Sequence, residues 1–221
     1  MSFSRPHKSV LFATGLLFTL TLPAVALDLT EIGQIQVGDG EGYAEMIRYH
    51  SQSQSLMVTA SKTGTIERIS MSKPSSLSMM RPLDLVGGNV TAVAVHENLI
   101  AASVNAEPAD APGMVKLFDI AGTLLATFKT GALPDNVAFS PDGRYLLTAN
   151  EGEPSDDLMI DPEGSFTLID LAKGAANAKV TQISLAGMVA PAGGRIVRPG
   201  SSFAIDAEPE YVAFAPDGQR A

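Results

Sequence analysis

The chain has 221 residues, of which 45% are hydrophobic and 18% charged, so it can bury a core instead of remaining disordered. Its formal charge of -9 disfavours nucleic acid and anionic membrane surfaces as partners. Cysteine is absent, which excludes disulfides, thiol catalysis and thiolate metal sites. Tryptophan is also absent, so stacking against a sugar would fall to the 4 tyrosines or 9 phenylalanines.

The N-terminus predicts a secretion signal over residues 1–26. Arg5 and Lys8 precede an apolar run from Val10 to Leu22, and the small residues of Ala24-Val25-Ala26 follow at once. The apolar run is shorter than the roughly 20 residues that span a bilayer, which favours cleavage over anchoring. We therefore expect an exported domain over residues 27–221, in the periplasm, the medium or at the cell surface, with no membrane span in the mature part.

A repeated unit follows in chain order. Residues 136–150 read NVAFSPDGRYLLTAN, residues 211–221 read YVAFAPDGQRA, and weaker copies occupy residues 46–61 and 92–105. The buried aliphatic residues that begin these units are 46, 44 and 75 residues apart, at Ile47, Val93, Val137 and Val212. The first two spacings match a four-stranded propeller blade. The third is longer because a Gly- and Pro-rich insertion occupies approximately residues 187–207.

Within these units, alternating apolar residues separated by turn residues predict strands. Pro141-Asp142-Gly143 predicts a tight turn between the first two strands of one blade. We expect an all-β fold: a partial β-propeller with about three complete four-stranded blades and the start of a fourth. A β-sandwich or mixed fold would not predict a recurring strand followed by Pro-Asp-Gly. The predicted strands are Leu29–Val37, standing alone, Met114–Ile120, Leu124–Thr130, Asn136–Ser140, Arg144–Ala149, Ser165–Leu171 and Lys179–Leu185.

The sequence stops at Ala221, directly after the second Pro-Asp-Gly turn. We therefore expect a truncated fragment, for which the remaining blades of a parent chain are partners.

Propeller geometry predicts one acidic face. The loop between the second and third strands of a blade and the loop that enters the first strand emerge on the same side. Residues 150–163 form one such loop with six carboxylates, and Asp206 to Glu210 enter the fourth blade. Hard cations such as calcium take oxygen ligands from flexible acidic loops. The candidate ligands of calcium or another divalent cation are Glu151, Glu153, Asp156, Asp157, Asp161, Glu163, Glu208 and Glu210.

Two alternatives to a metal site stay open. The loop over residues 150–163 has no EF-hand spacing and could be a solvated acidic loop. The acidic residues before each first strand, at Asp135 and at Glu208 to Glu210, could instead bond backbone amides of a neighbouring blade and close the ring.

Familiar catalytic and cofactor motifs are missing from the sequence. His50 and His96 fall at first-strand turns, on the face opposite the carboxylates, which argues against a zinc site. No serine lies in a Gly-x-Ser-x-Gly elbow, and no glycine-rich segment matches a phosphate-binding fingerprint. We identify no catalytic residue and expect no organic cofactor.

Five segments carry a resemblance to a known family: residues 131–143, 149–157 (ANEGEPSDD), 161–165 (DPEGS), 195–200 and 208–212 (EPEYV). In these motifs, the chain resembles the choice-of-anchor I proteins, exported bacterial propellers related to a mesenchyme-specific cell-surface glycoprotein. The resemblance covers residues 29–221. It implies a chain about twice this length or more, with a variable C-terminal anchor. Some members are labelled alkaline phosphatases, but the resemblance supplies no catalytic residue.

Two functions follow as expectations. The first is an exported propeller that binds a protein, glycan or small-molecule ligand through an acidic face that holds a cation. The alternative is a metal-dependent phosphoesterase, similar to alkaline phosphatase, in which clustered carboxylates hold a divalent ion that positions water. The scarcity of Lys, Arg and His beside the carboxylates opposes this alternative.

Overall fold

The computed structural model describes residues 28–85, 87–155, 157–190 and 201–221. Every described strand belongs to one compact unit, Ile32–Ala221. The predicted signal at residues 1–26 lies outside the described residues. No described helix has the length and apolar character needed to cross a membrane.

The strands form three antiparallel sheets, each built from strands in chain order. These sheets are the three complete blades that the sequence predicts, and the fold is a partial β-propeller. Blade 1 contains β1 (Ile47–His50), β2 (Ser55–Ala60), β3 (Thr65–Ser70) and two short outer strands, β4 (Ser78–Met79) and β5 (Leu83–Asp84), which both pair with β3. Blade 2 contains β6 (Val90–His96), β7 (Leu99–Val104), β8 (Pro112–Asp119) and β9 (Leu124–Ala132). Blade 3 contains β10 (Pro134–Phe139), β11 (Tyr145–Asn150), β12 (Ser165–Asp170) and β13 (Lys179–Ser184).

The core lies between consecutive blades, because successive side chains of a strand point to opposite faces of its sheet. On β7, Ile100, Ala102 and Val104 pack with Met57 and Ile66 of blade 1. Ala101, from the same strand, belongs to the cluster that joins blade 2 to Val137, Leu146 and Ile169 of blade 3. Each interface therefore buries apolar surface that a single blade would leave in water.

Blade 3 also has a covered outer face. Leu147 and Ala149 of β11 pack against Val212, which is only 6% exposed. The segment Tyr211–Ala215, the predicted first strand of a fourth blade, thus lies beside blade 3, although no ladder partner defines it as a strand.

The Ser-Pro-Asp-Gly turn shows why its sequence recurs. The Ser140 hydroxyl donates to Asp142 Oδ1 at 2.6 Å, and the amides of Gly143 and Tyr145 donate back to Ser140. Gly143 has φ of +69°, a conformation that favours glycine. The copy at Ala215 to Gly218 repeats the turn hydrogen bond, with the Gly218 amide donating to the Ala215 carbonyl at 2.8 Å.

Most predicted strands agree with the structure to within two residues at each end. The prediction for Leu29–Val37 is wrong: these residues form no strand, and no described strand edge pairs with them. The predicted insertion contains a four-residue helix, α1 (Phe203–Asp206), in which the Ile205 amide donates to the Ser202 side chain. Residues 191–200 of the insertion lie outside the described residues.

We expect Gly143→Ala to destabilise the protein by about 2–3 kcal/mol, because it combines a left-handed backbone with a steric clash. A Cβ at Gly143 would lie 2.2 Å from the His96 ring. Thermal unfolding followed by circular dichroism measures the loss.

The matched control for this prediction is Gly218→Ala, at the equivalent position of the second Pro-Asp-Gly turn. Gly218 has φ of +68°, and the nearest atom to a Cβ built there is Pro141 Cδ at 3.6 Å, an ordinary contact. Gly218→Ala should lose about 1 kcal/mol, the backbone cost alone. Equal losses in the two variants would contradict the packing of the Gly143 turn against blade 2.

Candidate functional site

Three chain segments bring five carboxylates together at one end of blade 3. Asp135 lies at the start of β10, Glu151 directly follows β11, and Glu153 lies two residues further along. Glu208 and Glu210 come from the segment that follows α1. Each of the other four contributes to the electrostatic environment of Glu151. We call Asp135, Glu151, Glu153, Glu208 and Glu210 the acidic rim.

Backbone contacts fix the two loops of the acidic rim side by side. The Gly164 amide donates to the Ala204 carbonyl at 2.8 Å. A Cβ at Gly164 would lie 2.6 Å from Pro209 Cδ and 3.3 Å from the Glu151 carbonyl oxygen, so only glycine permits this approach. The segment predicted to enter the fourth blade therefore lies against the acidic loop of blade 3, as radial stacking requires.

Burial and the crowding of like charges raise pKa values in the acidic rim. Burial, together with the carboxylates of Glu153, Asp135, Glu210 and Glu208, raises the pKa of Glu151 to about 7. Burial, then Glu210 and Glu153, also raises the pKa of Asp135. Every side chain that shifts these two pKa values is itself a carboxylate. The acidic rim thus carries negative charge that a bound cation would stabilise, and no basic side chain among the described residues shifts either pKa value.

The structure does not bring all predicted metal ligands together. Glu151, Glu153, Glu208 and Glu210 meet in the acidic rim, whereas Asp157 closes its own turn by accepting from Ser155 Oγ at 2.7 Å and from the Met159 amide at 3.1 Å. Those two hydrogen bonds lower the pKa of Asp157.

The remaining predicted ligands belong to neither arrangement. Glu163 is exposed and accepts from Ser184 Oγ at 3.5 Å, and Asp161 is partly buried. Asp156 lies outside the described residues. Within the described ranges, no three His, Asp or Glu side chains are already grouped to hold a metal ion.

Asp135 is the member of the acidic rim that the list of candidate ligands omits. Its repeat position reveals it: Asp135 stands two residues before the anchor Val137, as Glu210 stands two residues before Val212. Propeller repeats place equivalent positions side by side around the channel, and burial and Glu210 are the first two causes of the raised pKa of Asp135.

The inter-blade locks at this end use uncharged groups. Asn136 Oδ1 accepts from the Val212 amide at 3.4 Å, and the Thr91 hydroxyl donates to the Pro134 carbonyl at 2.5 Å. These two hydrogen bonds connect neighbouring blades, a role that one alternative to the metal site assigned to acidic residues. The carboxylates of the acidic rim are not used in either lock.

A buried network of side-chain hydrogen bonds begins at Asn150, the residue directly before Glu151. Asn150 accepts from the Thr148 hydroxyl at 2.8 Å and donates to Thr167 Oγ1 at 3.0 Å. Thr167 donates in turn to Gln182 Oε1 at 2.8 Å, and the Gln182 amide donates to the Lys129 carbonyl in blade 2 at 3.1 Å. Asn150, Thr148 and Thr167 are all fully buried.

The two histidines of the described residues do not contribute to the acidic rim. His50 ends β1, where its Nδ1 lies 2.6 Å from Ser53 Oγ, and His96 ends β6 with its ring 5.6 Å from that of Phe139. Both histidines thus lie where the first strand of a blade ends, whereas the acidic rim lies where the first strand of blade 3, β10, begins.

Comparison with protein families finds a match to the choice-of-anchor I domain over residues 45–221. Comparison with curated protein sequences finds no match. Among solved structures, hydrazine synthase of Kuenenia stuttgartiensis has a TM-score of 0.51 at 16% identity, over 63% of this chain and 42% of that one.

Two further solved structures are similar at lower TM-scores. A putative 6-phosphogluconolactonase of Bacteroides uniformis has a TM-score of 0.48 at 16% identity, over 66% of this chain and 41% of that one. The β-propeller domain of Cps50 (Swd1) from Myceliophteria thermophila has a TM-score of 0.48 at 12% identity, over 70% of this chain and 43% of that one. The chain spans less than half the length of these solved structures.

We expect Glu151→Gln to stabilise the protein at pH 8 by on the order of 1 kcal/mol, a value reduced for solvent screening. The folded-state pKa of about 7 lies above the ordinary 4.5, so the folded state binds more protons between those values. The contribution of Glu151 to stability therefore falls as pH rises from about 4.5 to 7. Urea unfolding of both proteins at pH 5 and pH 8 measures the difference in unfolding free energy between the variant and the native protein.

The gain from Glu151→Gln should vanish at low pH, where the native glutamate is also neutral. Glu163→Gln is the matched control, because it removes one carboxylate of the same loop that the acidic rim does not include. Equal stabilisation by both variants would show that general charge reduction, and not the acidic rim, is responsible.

Proposed function

This chain belongs to the choice-of-anchor I family, and from that premise we propose that it is an exported, non-catalytic binding propeller whose acidic rim holds a cation. Calcium is the proposed ion. A protein, glycan or small-molecule ligand would then be bound at the same face. Export rests on the predicted signal at residues 1–26 together with family membership.

One observation carries the proposal: five carboxylates from three chain segments lie close together, and burial, added to the charges of the other four, raises the pKa of Glu151 to about 7. Like charges at this density destabilise the folded state unless protons or cations compensate them. Calcium accepts six to eight oxygen ligands in irregular geometry and takes some of them from water and backbone carbonyls. It can therefore bridge carboxylates that are not yet arranged as a compact site.

The same surface argues for binding in preference to catalysis. A phosphoesterase needs positive groups to hold the phosphate as well as carboxylates to hold a metal. In the part of the chain that the structure describes, the side chains that influence the pKa values of Glu151 and Asp135 are all acidic. The acidic rim is therefore better suited to a cation or a basic ligand than to a phosphate ester.

Calorimetric titration of chelator-treated protein with calcium chloride tests whether the acidic rim binds the cation. We expect affinity to rise about tenfold between pH 6 and pH 8, because calcium requires the ionised form of Glu151 and its pKa is about 7. Glu151→Gln should weaken binding and remove most of this pH dependence.

Glu163→Gln again serves as the control and should leave both the affinity and its pH dependence unchanged. No heat of calcium binding at pH 8, or an equal loss in the two variants, would contradict the proposed cation site. If the protein still captured a ligand in the presence of a chelator, the binding function would remain supported and only the cation would be rejected.

A further inference from the structure

A second polar feature lies between blades 1 and 2 and shares no residue with the acidic rim. It is a cleft of about 550 Å³. Three basic residues and a single carboxylate contribute to its walls. We call it the basic cleft, and its main residues are Arg68, Arg81, Asp84, Lys116, Phe118 and Leu124.

Strand alternation places two of these cations deep in the blade interface. Arg68 of β3 follows Ile66 by two residues, and Lys116 of β8 precedes Phe118 by two residues. Ile66 and Phe118 both belong to the apolar cluster between blades 1 and 2. Arg68 and Lys116 therefore share that interface, where they are 7% and 8% exposed.

Two hydrogen bonds position the Arg68 side chain, but not all of its N–H donors have an acceptor. Its Nη2 donates to the Ile120 carbonyl at 2.7 Å and its Nη1 to the Ala121 carbonyl at 3.3 Å, both in the turn of blade 2. Its Nε is buried and has no acceptor among the described residues. A buried donor without a partner costs free energy unless a ligand or water supplies an acceptor.

The charge of the basic cleft is opposite to that of the protein. The described walls contain three cations, Arg68, Arg81 and Lys116, and one carboxylate, Asp84, whereas the whole chain has a formal charge of -9. Burial is the main cause that lowers the pKa of both Arg68 and Lys116, with Asp119 and Asp84 respectively acting in the opposite direction. An added anion would compensate the desolvation of these cations.

The walls also contain apolar surface. Leu83 and Phe118 are 4% exposed and form the inner side, and Leu124, at 50% exposure, stands on the outer side. A ligand that fills the cleft would therefore meet charged donors and apolar carbon together. Small-ligand sites commonly combine these two features.

We propose that the basic cleft binds a small organic anion, with its acidic head group held by Arg68, Arg81 and Lys116 and its apolar body packed on Phe118 and Leu124. The head group is a carboxylate or a phosphonate-like group, since both accept several charge-assisted hydrogen bonds. Arg68 has a structural role as well, because its two carbonyl contacts join blade 1 to blade 2. These contacts use two of the five N–H donors of the guanidinium, so others remain for an anionic ligand.

Calorimetric titration of the full chain with benzoate and phenylphosphonate tests the proposal, with benzyl alcohol as the neutral match and inorganic phosphate as the head group alone. We expect an aromatic anion to bind and benzyl alcohol to show no heat. Preference for benzoate or phenylphosphonate would identify the head group. Lys116→Met should weaken binding about tenfold, the value of one lost charge-assisted hydrogen bond.

Two further variants make the result decisive. Arg81 is exposed, so Arg81→Gln should weaken binding of the aromatic anion without altering the fold. This variant tests the basic cleft even if Lys116→Met unfolds. Lys129→Met is the control, because it removes an exposed lysine of β9 that the cleft does not include. No heat with either aromatic anion, equal heat with benzyl alcohol, or unchanged affinity in Arg81→Gln would overturn the proposal.

Discussion

A blade of this fold has two apolar faces, and neither can be buried within the blade itself. Ala101 and Ala102 are adjacent in β7, yet one belongs to the cluster shared with blade 3 and the other to the cluster shared with blade 1. Each blade is therefore stabilised by its neighbours, and stability accumulates interface by interface, as in other repeat proteins. The rest of the molecule depends on this face-to-face packing, because it decides which loops become neighbours.

The acidic rim is a direct consequence of that stacking. Asp135 and Glu210 are 75 residues apart in sequence but occupy the same position in consecutive repeats. Radial packing brings such positions together, and the close approach of Gly164 to Pro209 completes the contact. The basic cleft arises in the same way, since β3 and β8 each direct a cation into the interface that otherwise buries apolar carbon. Both features are therefore properties of blade interfaces and not of individual loops.

Repeat spacing and strand alternation were sufficient to predict three blades, because an aliphatic residue recurs at blade spacing at Ile47, Val93 and Val137. Val93 and Val137 are buried as expected, whereas Ile47 is 52% exposed. They failed at Leu29–Val37, where an alternating pattern has no strand edge to pair with among the described residues. The acidic rim was predictable in part: Glu151 and Glu208 follow from the rule for loop faces, whereas Asp157 satisfies its own turn. The basic cleft was not predictable, because Arg68 and Lys116 lie in strands of different blades and no sequence motif links them, so only the three-dimensional packing brings them together.

The chain of side-chain hydrogen bonds from Thr148 through Asn150, Thr167 and Gln182 to the Lys129 carbonyl has a consequence for assembly. Blades of similar sequence can in principle exchange places or slide along one another while the protein folds. A slip of one residue in β12 would turn Thr167 to the opposite face and leave the amide of Asn150 buried without its acceptor. A slipped register therefore loses hydrogen bonds that apolar contacts alone would not penalise, and this polar chain helps to fix the register of β12 within blade 3.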